Sequence, residues 1–141
     1  MSGSGLRFTL ELAAPPERVY PALTEAPLLC RWLCDDCESE PRANGRLIMR
    51  WRRPGSGAPF EARWVEFSPP ARAAFQGGNS SYPNGDAGTV WFSLVPDGPA
   101  TRLEIRHEWP RGDGYDAPVE SWRSAWPRAL ERLKQHVEHE A

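Results

Sequence analysis

"DAPVESWRSAWPRALERLKQHVEHEA", residues 116–141, is the longest helical pattern in the chain. Val119, Trp122, Trp126, Leu130, Leu133 and Val137 recur at spacings of three and four, so an α-helix gathers them on one stripe. Pro127 falls near the middle and lacks a backbone donor, so a kink is expected there. An amphipathic helix buries its stripe only against another element. The rest of the sequence must supply that element.

Just before the helix the period is two. In "TRLEIRHEW", residues 101–109, Leu103, Ile105 and His107 alternate with Arg102, Glu104, Arg106 and Glu108. "TVWFSLVPDG", residues 89–98, precedes it, and the two read as a hairpin around Pro96-Asp97-Gly98-Pro99. Trp91 has the opposite parity from Val90, Phe92 and Leu94 and is expected to face away from the helix. Residues 77–88, "GGNSSYPNGDAG", read as a loop. "SPPARAAFQ" reads as a turn and a short strand. "PFEARWVEF" reads as a strand whose alternation breaks at Trp64-Val65, as a bulge would break it. "RLIMRWRR" places Leu47, Met49 and Trp51 on one face, with Arg50 and Arg52 solvated and Arg53 entering a turn.

At the other end, "LRFTLELAA" puts Leu6, Phe8, Leu10 and Leu12 on one side of a strand. "APPERVYPALTEAPLLCRWL" follows, with Val19, Leu23 and Ala26 at helical spacing. Pro27 is expected to end this helix or to begin a second short one. The order is strand, helix, five strands, long helix. The expected class is α+β: an antiparallel sheet of about six strands covered by one long helix, with one or two short helices after the first strand.

The chain has 141 residues, 40% hydrophobic and 26% charged, as a single globular domain would. Residues 1–5 read as a flexible end or a tag remnant, and 6–141 as one domain. The net charge of −2 gives no footprint for nucleic acid. No stretch approaches the roughly 20 apolar residues of a membrane span. No signal-peptide core is present, so a cytoplasmic location is expected. Seven tryptophans imply a large aromatic interior or a ring-walled cavity.

All three cysteines fall in "CRWLCDDCESE", residues 30–40. Structural zinc takes four ligands, and Cys34 with Cys37 provides two. His136 and His139, on one helix face, make a Cys2His2 set arithmetically possible, but a gap of about a hundred residues is far outside finger-like spacing. No metal is expected. A redox pair is weaker still, since Asp35 and Asp36 would raise a neighbouring thiol's pKa.

The ordered set "APPERVYPALTEAPLLCRWL", "CESEPRANGRLIMRW", "EFSPPAR", "GTVWFSLVPDGPATRLEIRHEW" and "SWRSAWPRALERLKQHVE" resembles the bacterial homologues of the heat-shock chaperone ATPase activator. These belong to the START and birch-pollen-allergen superfamily, also called SRPBCC. The resemblance implies a helix-grip fold, a curved antiparallel sheet around a long C-terminal helix with an apolar cavity between them. Within that family Cys37-Glu38 matches a recurring pair, which gives Cys37 a structural reading. The resemblance supplies no shared catalytic set.

With such a cavity, parity puts Met49, Trp51, Trp64, Phe92, Ile105 and His107 on its sheet wall, with Trp109 at the end of that wall. The helix contributes Trp122 and Trp126. His107 has two expected futures. It fixes the core by bonding a backbone carbonyl or a side chain such as Glu120, or it orients a ligand or moves a proton. Buried polar groups are usually satisfied within the fold, which favours the first. The functions in view are a binder of a small apolar or amphipathic molecule, a chaperone cofactor as the resemblance implies, and a cyclase- or aromatase-like enzyme. Binding is favoured over catalysis, with no cofactor, no membrane partner, and a monomer or homodimer as the form.

Overall fold

The computed structural model describes residues 5–52 and 57–140. Residues 1–4 of the expected flexible start, and Arg53 with its turn, lie outside the described set; Gly5 opens the first strand. Seven strands form one antiparallel sheet: β1 (Gly5–Leu12), β2 (Asp36–Ser39), β3 (Arg46–Arg50), β4 (Phe60–Ser68), β5 (Arg72–Gly78), β6 (Thr89–Asp97) and β7 (Ala100–Glu108). Their order across the sheet is β1-β7-β6-β5-β4-β3-β2. The long helix α3 (Asp116–Gln135) carries the buried stripe Val119, Trp122, Trp126, Leu130 and Leu133. This is the helix-grip fold.

The alternation rules hold where they were read. Leu103, Ile105 and His107 are all buried, while Arg102 and Glu108 are exposed. The β4–β5 register shifts between Trp64 and Glu66, so the expected bulge is present. Trp64 stays fully buried and Val65 turns outward at 48% exposure. Trp91 faces away from α3, and its ring lies between the guanidinium groups of Arg72 and Arg106. Glu25 is extended between α1 (Pro16–Thr24) and α2 (Ala26–Leu29), and Pro27 sits in the first turn of α2. Pro27 therefore begins a second helix where its missing donor is not needed.

Several expectations change. β2 is the seventh strand; "DCES" is too short and polar to signal itself, and it forms only because Cys37 pairs Met49 across β3. The β6–β7 turn is tighter than expected, since Asp97 already pairs with Ala100 and leaves Gly98-Pro99 as the turn. Pro96 is tolerated inside β6 because β5 pairs with β6 only as far as Ser93, so the missing donor meets no neighbour there. Gly77 and Gly78, read as loop, complete β5. α3 runs through Pro127, which is exposed, and continues as a π-helical turn from His136 to Glu140. In that wider turn residues three apart no longer stack, so His136 is buried while His139 is exposed and the two do not share a face.

Candidate functional site

His107 anchors the inside of the grip. Its Nε2–H donates to the Ala87 carbonyl at 2.8 Å, and its Nδ1 accepts from Trp126 Nε1 at 3.2 Å. The donor on Trp126 fixes the tautomer. Trp109 stacks on the ring at 4.0 Å between centroids, and Trp122 meets it edge-on at 5.2 Å. Burial disfavours the imidazolium and, against the opposing bond to Ala87, pushes the pKa down to about 4. Gly88 makes the contact possible. Its φ is +83°, and a Cβ there would collide with the Glu108 carbonyl. A larger residue at 88 would thus push the 87–88 segment off β7 and take the Ala87 carbonyl from His107. His107 is accordingly a neutral core residue with both nitrogens engaged, and Glu120 instead pairs with Arg123 in solvent.

Empty space lies next to this cluster, at the mouth of the grip. An open cleft of about 1140 Å³ separates the 30–35 segment from α3. Its aromatic wall is continuous. Trp122 meets Trp126 at 5.4 Å and Trp51 at 6.2 Å, the latter nearly perpendicular, and Trp51 in turn meets Phe60 at 6.4 Å. Trp122 Nε1 donates to the Tyr82 hydroxyl at 2.8 Å, and burial raises the Tyr82 pKa. The wall is held by side chains of the 30–35 segment and its surroundings. Trp51 Nε1 donates to the Leu33 carbonyl at 2.8 Å, and Trp32 Nε1 to the Ala22 carbonyl at 2.8 Å. Arg132 Nε reaches the Trp32 carbonyl at 3.1 Å and ties the segment to α3. The opening is polar, with Arg31, Asp35, Ser121, Ser124, Arg128 and Arg132 around it.

The nine residues expected at a cavity therefore separate. Trp51, Trp122 and Trp126 border the cleft. Met49, Phe92, Ile105, His107 and Trp109 lie behind it, in the packed interior. Trp64 is at the far side of the sheet's concave face, against Phe67 and Phe75, with its Nε1 bonded to Ser39. The sequence reading missed Phe60, Tyr82 and the arginines. Arg128 and Arg132 are four apart, a signal for a shared helix face, but nothing in the sequence says that the 30–35 segment lies opposite them.

The cysteines border the same cleft at Cys30 and Cys34. All three are free thiols. Cys34 bonds Cys37, which holds Cys37 below the ordinary thiol pKa and, together with burial, holds Cys34 above it. The expected influence of Asp35 and Asp36 is thus not what governs Cys37; the neighbouring thiol outweighs them, and Asp36 is engaged by Arg52. Among the described residues no group of three or more His, Cys, Asp or Glu is arranged to hold a metal ion. Arg50 and Arg52, read as a solvated face, pair with Glu38 and Asp36 across the β2–β3 edge.

The sequence model described as "Activator of Hsp90 ATPase homolog 1-like protein" matches residues 13–138. No curated protein matches the chain. Among solved structures, a protein from Mesorhizobium loti is 21% identical with a TM-score of 0.80, over 94% of this chain and 95% of that one. A protein from Chromobacterium violaceum is 26% identical with a TM-score of 0.72, over 95% and 97%. The solution structure of an Aha1 dimer from Colwellia psychrerythraea is 18% identical with a TM-score of 0.80, over 96% and 97%. Among the described residues no helix is long and apolar enough to cross a membrane.

Proposed function

The chain belongs to the family of Activator of Hsp90 ATPase homolog 1-like proteins, and from that premise we propose that it binds a small apolar or amphipathic molecule in the cleft between residues 30–35 and α3. The observation that carries this reading is the open cleft with half-buried Trp51 at its rim, backed by the buried rings of Trp122 and Trp126. Packed cores fill the space beside such rings with side chains, whereas ligand sites leave it open beside a few polar groups. The interior behind the wall is occupied by His107, Trp109 and Phe92, so the ligand sits at the mouth of the grip rather than deep inside it.

The test is a melting-temperature screen with neutral planar aromatics. A binder present at about 100 times its Kd adds about 2.7 kcal/mol to stability. Wild-type protein is expected to gain several degrees. Trp51→Ala removes one ring of the wall from a half-buried position and is expected to lose the gain. No shift with any apolar probe up to its solubility limit would rule the reading out. The chaperone-cofactor role comes only from the family's description. The dimer of the Colwellia neighbour makes a homodimer the assembly to look for by sedimentation.

A further inference from the structure

We propose that the cleft selects an organic anion: a flat apolar body on the Trp51–Trp122 wall, with an oxyanion head held by Arg128 and its neighbour Arg132. This rests on the ligand-binding reading and adds the ligand's charge.

The argument begins with charge. Arg31, Arg128 and Arg132 border the cleft, and among the described residues Asp35 is the one acid that does. The cleft rim is therefore cationic in a chain whose net charge is −2. Asp35 is also committed, since its Oδ2 accepts from the Arg52 backbone N–H at 2.6 Å. The other cations of α3 have intramolecular partners. Arg123 pairs with Glu120, Lys134 with Glu138, and Arg132 donates through Nε to Trp32. Arg128 makes no hydrogen bond or ion pair among the described residues.

Geometry agrees with charge. Arg128 and Arg132 are four residues apart on one helix, so their side chains reach the same patch. Arg132 uses Nε on Trp32, which orients its guanidinium and leaves its terminal nitrogens as donors. A guanidinium fork matches the two oxygens of a carboxylate or the edge of a phosphate. Trp51, Trp122, Arg128 and Arg132 all line the one cleft. A molecule resting on the indoles thus brings a substituent within reach of the arginines. A purely apolar ligand would leave that rim unused.

The experiment is calorimetry with three probes that share one naphthalene body: 2-naphthoate, 2-naphthyl phosphate and the neutral 2-naphthamide, the isostere of the first. Wild type is expected to bind at least one of the anions at least tenfold more tightly than the amide. The tighter of the two anions identifies the head. Arg128→Gln is expected to reduce that preference to below about threefold and to leave the amide's affinity unchanged. Arg123→Gln, which removes the same charge outside the cleft, is expected to keep the preference. Equal binding of all three probes overturns the anion proposal and leaves the ligand-binding reading intact. Loss of preference in both arginine variants overturns it too, because net charge alone would then explain the selectivity. Failure of every probe, the amide included, overturns both readings together.

Discussion

His107 should make this protein sensitive to acid. In the folded state His107 is held neutral, with its pKa pushed down to about 4. In the unfolded chain it titrates near the ordinary value of about 6.5. Between these two values the unfolded state binds a proton that the folded state does not, so stability falls as pH falls. The contribution is fully present above about pH 6.5 and is lost on approach to pH 4. At about 1.4 kcal/mol for each tenfold change in proton affinity, the loss totals about 3 kcal/mol. For a domain of this size that is roughly 10 °C in melting temperature. The cause is structural: Ala87 and Trp126 occupy both nitrogens, and the rings of Trp109, Trp122 and Trp126 surround the imidazole. The assay is urea unfolding at half-unit steps from pH 7 to pH 4.5, on wild type and on His107→Gln. Gln cannot titrate but keeps a donor for Ala87. The Asp36, Glu40 and Glu138 carboxyls, held low by their partners, contribute equally in both proteins and cancel in the difference. The wild-type curve should fall away from the variant's below pH 6.5. Parallel curves would refute the reasoning, as would a His107 imidazole NMR resonance titrating near pH 6.5 in the folded protein.

Other outcomes follow from the same cluster and its surroundings. Trp126→Phe keeps an aromatic side chain but leaves a smaller ring and the His107 Nδ1 without its donor, and should cost at least about 1–3 kcal/mol by urea unfolding. Trp122→Ala opens a void beside Trp51, Phe60 and His107 and should cost about 3–5 kcal/mol in the same measurement. Arg52→Ala breaks only an exposed pair with Asp36 and should change stability by less than about 1 kcal/mol. Elemental analysis of untagged protein should find no stoichiometric zinc, and one zinc per chain would reverse the reading of the cysteine segment.

Much of the fold was legible because its signals are local. Alternation over residues 101–109 puts His107 inside, and helical spacing over 119–137 puts the tryptophans on one stripe; neither needs knowledge of a distant partner. The bulge at Trp64-Val65 was legible because a period of two cannot continue through two adjacent apolar residues. The cleft was not legible. Its walls meet through Trp32 and Arg132, a hundred residues apart, and no pattern in either segment announces the other. β2 was hidden for a related reason. "DCES" has no strand signal of its own and is a strand because β3 offers it an open edge. Parity also says which face a ring takes, but not whether space lies in front of it, so Trp64 and Trp122 look alike in sequence and sit in different surroundings.

The tryptophans have an optical consequence as well. Trp32, Trp126, Trp122 and Trp51 form a chain with successive centroids 6.4, 5.4 and 6.2 Å apart. Excitation absorbed by any indole at such separations hops to its neighbours faster than it is emitted. Light from the four therefore leaves mainly from the site of lowest energy, which is Trp51, the one member that is not fully buried. The emission colour of these four rings is set by the polarity around one residue at the rim, however many of them absorb. A contact that touches Trp51 alone will shift the spectrum of the whole chain of rings, and a rearrangement around buried Trp32 will leave it almost still.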